Sequence, residues 1–193
     1  SACEDRSIRC FEELAVEHPD RVMPKLNQSL AYVDKMPYPK LGIVSQGQLS
    51  NKSLAVLDTI LEQDPKCWTA KFIRGMNHLH WPRKLNHAPL AIKDFTELIA
   101  LQKTLPPEKQ REYFALGYVG LGDAYVKNRD EGFDENTRRA SAAWEQGQKE
   151  YPKCADLKIR LELFEKSAEK TELIDYIDQL RGLENPVNTD LNM

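Results

Sequence analysis

The chain has 193 residues, of which 41% are hydrophobic and 30% charged, with a net charge of -3. That length suits one full-sized domain, and the composition is too apolar for disorder. The longest apolar runs are only a few residues, too short to cross a bilayer as a helix, and scattered Lys and Arg on a mildly acidic chain argue against nucleic acid.

Taken in order, the apolar positions recur with helical spacing. Ile8, Phe11, Leu14 and Ala15 make one stripe, ended by Pro19. Leu26, Leu30, Val33 and Met36 make a second, with Pro24 in its first turn. Ser50 or Asn51 is placed to cap a third, carrying Leu54, Leu57, Ile60 and Leu61. A fourth runs from about Cys67 to His80 and stops before Pro82; Pro89 opens a fifth with Ala91, Phe95, Leu98 and Ile99 inside. Pro107 opens a sixth, ending near Lys127. Thr137 caps a seventh with Ala140, Trp144 and Gly147; Leu157, Leu161 and Phe164 mark an eighth; Thr171 caps a ninth with Ile174, Ile177 and Leu180. Proline in a first turn and Ser, Thr or Asn just before it are helix starts. No stretch alternates with period two, so the chain reads as all-α.

The pattern also repeats. Pro65-Lys66-Cys67 and Pro152-Lys153-Cys154 are 87 residues apart, with Pro106-Pro107 midway. Each proline step separates two amphipathic stretches, which is the mark of stacked supersecondary units. Cys67 and Cys154 fall at equivalent places in non-adjacent repeats, too far apart to bond, and read as small buried thiols. Cys3 and Cys10 are seven apart, about 10 Å along a helix, beyond disulfide reach unless the first residues leave the helix.

"YVGLGDAY" at 118–125 places two glycines among aromatic and aliphatic residues of a helix, each costing about 1 kcal/mol against alanine. Tyr118, Leu121, Gly122 and Tyr125, followed by Ala140, Trp144, Gly147 and Pro152, resemble the tetratricopeptide repeat in order and spacing. The resemblance implies a right-handed α-solenoid of antiparallel helix pairs, about eight to nine helices in a single domain over 1–193. The best repeat match is 113–152. A looser one over 45–106 has Gly75 at the small position, and divergent capping helices are expected at 4–36 and 154–182. In the family the Gly122 position lets the two helices of a repeat approach, with Ala140 facing it. Gly120 is not a motif position and reads as an exposed weak point. The loops 81–88 and 127–137 are longer than the family's, and each carries a large apolar residue, Trp81 and Phe133.

The same resemblance assigns groove-facing positions: Phe72, Met76, Leu79 and His80 from one repeat, Val119, Asp123 and Lys127 from the next. They imply a non-catalytic scaffold that binds a partner peptide or helix in a concave groove. No nucleophile elbow, phosphate loop or paired carboxylates suggest an enzyme. His78, His80 and His87 cluster beside Trp81, but i and i+2 on a helix point to different sides, so His78 and His80 cannot share an ion unless the helix has already unwound there. Neither a metal nor a cofactor is expected. The alternative is an exported lipoprotein accessory to a transporter or envelope complex, holding a small ligand. It rests on "SAC" at 1–3, which resembles the end of a lipoprotein cleavage site with a lipid anchor at Cys3. That reading favours a bacterial periplasmic or lipid-anchored location, with the cytoplasm as the other choice.

Overall fold

The computed structural model describes residues 2–36, 41–130, 132–166 and 171–179, apart from the side chains of 2–4, 171 and 179. Among these, all regular structure is helical: nine α-helices and three short 3-10 turns, with no strand and no helix long and apolar enough to cross a membrane. Cys3, residues 167–170 and the expected end of the last helix at 180–182 lie wholly or by their side chains outside the described residues. The chain divides into two compact units, 1–77 and 78–193.

The first unit holds α1 (Ala2–Glu17), α2 (Val22–Lys35), α3 (Ile43–Gln63) and most of α4 (Trp68–Leu79). Pro19 lies two residues past the end of α1, and α2 carries Pro24 in its first turn as the sequence predicts. Pairs across the helices fix their directions. Glu12 accepts from the Tyr32 hydroxyl at 2.5 Å and Asp5 pairs with Lys35, so α1 and α2 are antiparallel. Ser29 and Ser53 share a hydroxyl bond at 2.8 Å, and Lys25 Nζ donates to Gln63 at 2.8 Å, so α2 and α3 are antiparallel too. Leu26, Leu30, Leu54, Leu57 and Ile60 are buried among them.

Here the capping expectation fails. α3 starts at Ile43, behind Gly42, rather than at Ser50 or Asn51. The hydroxyls are employed elsewhere: Ser50 is buried and donates to Asn77 Oδ1 at 2.5 Å, and Ser53 faces Ser29. A serine that faces inward with a partner costs a helix interior little, so the chain stays helical through it.

The second unit is built around α6 (Ala115–Lys127), with α5 (Ala88–Lys103), α7 (Phe133–Glu150), α8 (Ala155–Lys166) and α9 (Thr171–Gln179) packed on it. Ten of the thirteen residues of α6 are buried. A helix apolar on every side belongs in an interior, and this one has neighbours all round.

The glycines of α6 are explained by those neighbours. A Cβ on Gly120 would overlap the ring of Phe95 on α5, and one on Gly122 would overlap the indole of Trp144 on α7. Two expectations are thereby corrected. Gly120 is a buried contact rather than an exposed weak point, and Gly122 is opposed by Trp144 rather than by Ala140, which is itself fully buried. The two glycines face different helices, so α6 is approached closely on two sides. Trp144 donates its Nε1–H to the Val119 carbonyl at 3.3 Å, locking the ring over Gly122.

Two further helix starts differ from expectation. Pro107 opens only a 3-10 turn (Pro107–Lys109); a second (Glu112–Phe114) follows before α6 begins at Ala115. Gln110 between them is extended because its side chain donates to the Gln102 and Leu105 carbonyls, both at 2.9 Å, closing the C-terminal end of α5. Thr137 does not cap α7, which starts at Phe133 behind Gly132. Its hydroxyl donates back to the Phe133 and Asp134 carbonyls at 2.9 Å inside the first turns. Much of the insertion read as loop is therefore helix.

The repeated Pro-Lys-Cys tripeptides do form the same turn. Cys67 N–H donates to Asp64 O and Cys154 N–H to Tyr151 O, both at 3.1 Å, and each cysteine carbonyl accepts the first bond of the next helix. Both thiols are free and half-buried, and burial pushes both up from the usual thiol range.

Candidate functional site

The groove-facing positions fall in both units. In the first, Phe72 is buried with its ring stacked on Trp68 at 5.1 Å, and Met76 is half-buried. In the second, Leu79 is buried and His80 half-buried, while Val119, Asp123 and Lys127 are 2%, 1% and 2% exposed. Those last three are buried, Asp123 against α8 and Lys127 against α9.

Asp123 accepts two bonds from the Arg160 guanidinium on α8, at 2.7 and 2.8 Å, with both side chains buried. Arg160 also donates to Asp156 O at 3.2 Å, and the Tyr176 ring on α9 lies 5.6 Å from its guanidinium carbon. Lys127 donates to Asp178 on α9 at 2.8 Å. Burial pushes the Asp123 carboxyl up, against the pull of Arg160 and of the Trp144 hydrogen bond. This is a desolvated, charge-balanced joint holding two helices to a third. Sequence reasoning singled out Asp123 but not Arg160; the signal available was an acid in the middle of an otherwise apolar helix, which demands a cation.

Tyr118 is similarly placed in structure rather than on a surface. Its hydroxyl donates to Glu150 at 2.6 Å, and burial together with that bond pushes it well above the usual phenol range. Leu121 and Tyr125 are half-buried, and Arg139 lies 5.9 Å over the Tyr125 ring. Gly75 is buried, Trp144 is fully buried and Pro152 is exposed in its turn.

The two inserted loops come together. Asn86 stands in the left-handed region at φ 51°, and its side chain donates to Asp130 at 2.7 Å. Asp130 N–H in turn donates to Asn128 Oδ1 at 3.3 Å, and Asn128 and Asn136 exchange two bonds at 3.1 and 3.2 Å across the loop base. Within the first loop, Trp81 stacks on His87 with ring centres 4.1 Å apart and planes 3° from parallel. His78 Nδ1 and His87 Nδ1 lie 3.1 Å apart. Leu85 in the first loop, Leu90 in the first turn of α5 and Phe133 at the start of α7 are 56%, 48% and 38% exposed.

Burial holds His87 below the usual imidazole range. A base whose folded pKa lies below its unfolded value of about 6.5 adds stability that is complete above that value. The stability is lost as pH falls through the folded pKa. The wild-type chain is therefore expected to lose more stability than His87→Gln between about pH 7.5 and pH 5 in urea titrations. Equal losses, or an NMR midpoint for His87 at or above about 6.5, would contradict this.

Two hollows open to solvent lie elsewhere among the described residues. One, of about 450 Å³, is lined by Phe11, Leu14, Val22, Met23 and Pro24 in the first unit. The other, of about 400 Å³, lies beside Asp134, Arg138, Glu145 and Phe164 in the second. No group of three His, Cys, Asp or Glu able to hold a metal occurs among the described residues. No family model, curated protein or solved structure matches this chain.

Proposed function

We propose that this chain is a non-catalytic protein–protein interaction module of tetratricopeptide-like helix pairs. The observation that carries it is the loop junction: two insertions are tied to each other by Asn86 and Asp130, and Leu85 in the first loop, Leu90 in the first turn of α5 and Phe133 at the start of α7 are exposed. Exposed apolar side chains on loops, and on the helix starts beside them, are how a rigid scaffold presents a contact surface. The antiparallel pairing of α6 with α7, the glycine contact at Gly122 and the twice-used Pro-Lys-Cys turn support the repeat. The groove of the second repeat is not the surface proposed, since Val119, Asp123 and Lys127 are buried, Asp123 being bound to α8 and Lys127 to α9.

The test is a photoreactive amino acid at position 85 or 133 in the source cells, with position 158 on the exposed face of α8 as the control. Adducts to the same protein at 85 and 133, weakened by Leu90→Glu and absent at 158, are expected. Equal labelling at all three positions, or none, would count against the loops as the contact surface.

A further inference from the structure

We propose that His78 and His87 form a two-imidazole site for a borderline divalent transition metal, zinc being the reference ion. Zinc binds imidazole nitrogen at 2.0–2.1 Å, so two imidazoles on one tetrahedral ion stand roughly 3.3 Å apart. The two Nδ1 atoms are 3.1 Å apart, aimed at one another, and their rings are tilted by 43° rather than stacked. An ion bound to both nitrogens stands off the line that joins them, so each ring turns toward it when it binds, the separation of the two nitrogens changing little.

Three features of the chain hold that geometry. His78 is in the last turn of α4 and His87 stands immediately before α5, so a helix end fixes each backbone. Trp81 stacked on His87 sets that ring's plane. The C-terminal end of α4, with its outward carbonyls, favours a cation beside His78. Arg83 and Lys84 on the intervening turn act the other way. Among the described residues no third side chain completes the set, so water fills the remaining positions. An ion with open positions and imidazole ligands is exchangeable, and zinc, copper and nickel compete for it in the order set by their affinity for nitrogen.

The experiment is isothermal titration of zinc chloride into the full chain, untagged and reduced, in a non-chelating buffer. The wild type, His78→Gln, His87→Gln and, as a control, His18→Gln are compared. One equivalent is expected to bind the wild type and His18→Gln. Affinity is expected to fall at least about tenfold in either of the other two variants. Zinc-induced shifts of the His78 and His87 ring resonances in the wild type provide a second readout that does not depend on the variants folding. Equal binding by all four chains would place zinc elsewhere on the chain and overturn the proposal. No binding by the wild type would leave the pair as a hydrogen bond only and overturn it too. Loss of binding in the variants without ring shifts in the wild type would do the same.

Discussion

Gly122→Ala lowers the unfolding free energy by about 1–3 kcal/mol in urea titration, despite replacing the residue least suited to a helix by the one most suited. On an exposed helix that exchange would gain about 1 kcal/mol. Here the added methyl overlaps the pyrrole edge of Trp144. The ring cannot swing aside cheaply. It is fully buried, edge-on to Phe164 with ring centres 6.4 Å apart, and its N–H is shared between the Val119 carbonyl and the Asp123 carboxyl. Moving it breaks those bonds and opens space elsewhere, and both effects add to the overpacking cost.

The origin of the loss is checked by a double-mutant cycle with Trp144→Phe. The smaller ring gives up its own burial and hydrogen bond but leaves room for the methyl. The double variant is therefore expected to be more stable than the sum of the two single changes implies, by about 1 kcal/mol or more. Additivity would mean that Gly122 and Trp144 do not oppose each other. A gain in stability from Gly122→Ala would mean that α6 and α7 are not in close contact, and the account of this helix pair would fall with it.

Much of this architecture could be read from the chain because helical periodicity and proline position are local. The stripes of α1, α2, α5, α8 and the apolar run of α6 depend only on residues three and four apart. What could not be read depends on where a side chain finds its partner. Ser50 and Thr137 have the chemistry of caps, and only the fold shows that their hydroxyls are used at Asn77 and at Phe133 and Asp134. Gln110 has no motif at all, yet its amide ends α5 and delays α6. Gly120 has no reason within its own helix; its reason is Phe95, on a different one. The candidate surface follows the same division. Loop length and composition mark 81–88 and 127–137, whereas the bond between Asn86 and Asp130 joins positions 44 apart. The groove positions were assigned by resemblance, and the burial of Asp123 and Lys127 goes with partners on α8 and α9, whose placement no local pattern encodes.

Arg160→Met tests that placement directly. Removing one partner of a buried ion pair leaves an uncompensated charge, and the cost is about 3–5 kcal/mol. Methionine keeps most of the volume, so the loss reports charge rather than a cavity. In the wild type, burial already pushes Asp123 up and Arg160 opposes it. Without Arg160 the folded carboxyl rises further, so the folded state holds its proton more tightly than the unfolded chain does. Stability of the variant must then increase as pH falls from the folded pKa toward the unfolded value of about 3.9. The deficit against wild type is expected to be larger at about pH 7 than at about pH 4.5. Asp123→Leu combined with Arg160→Met removes both charges and is expected to recover most of the loss and its pH dependence. A deficit that is the same at both pH values would mean that Asp123 is solvated in the variant. Water would then reach the contact of α8 with α6, and the covering of Val119, Asp123 and Lys127 would be a loose one. The side of α6 removed above from the candidate surface would return as a place for a partner to bind.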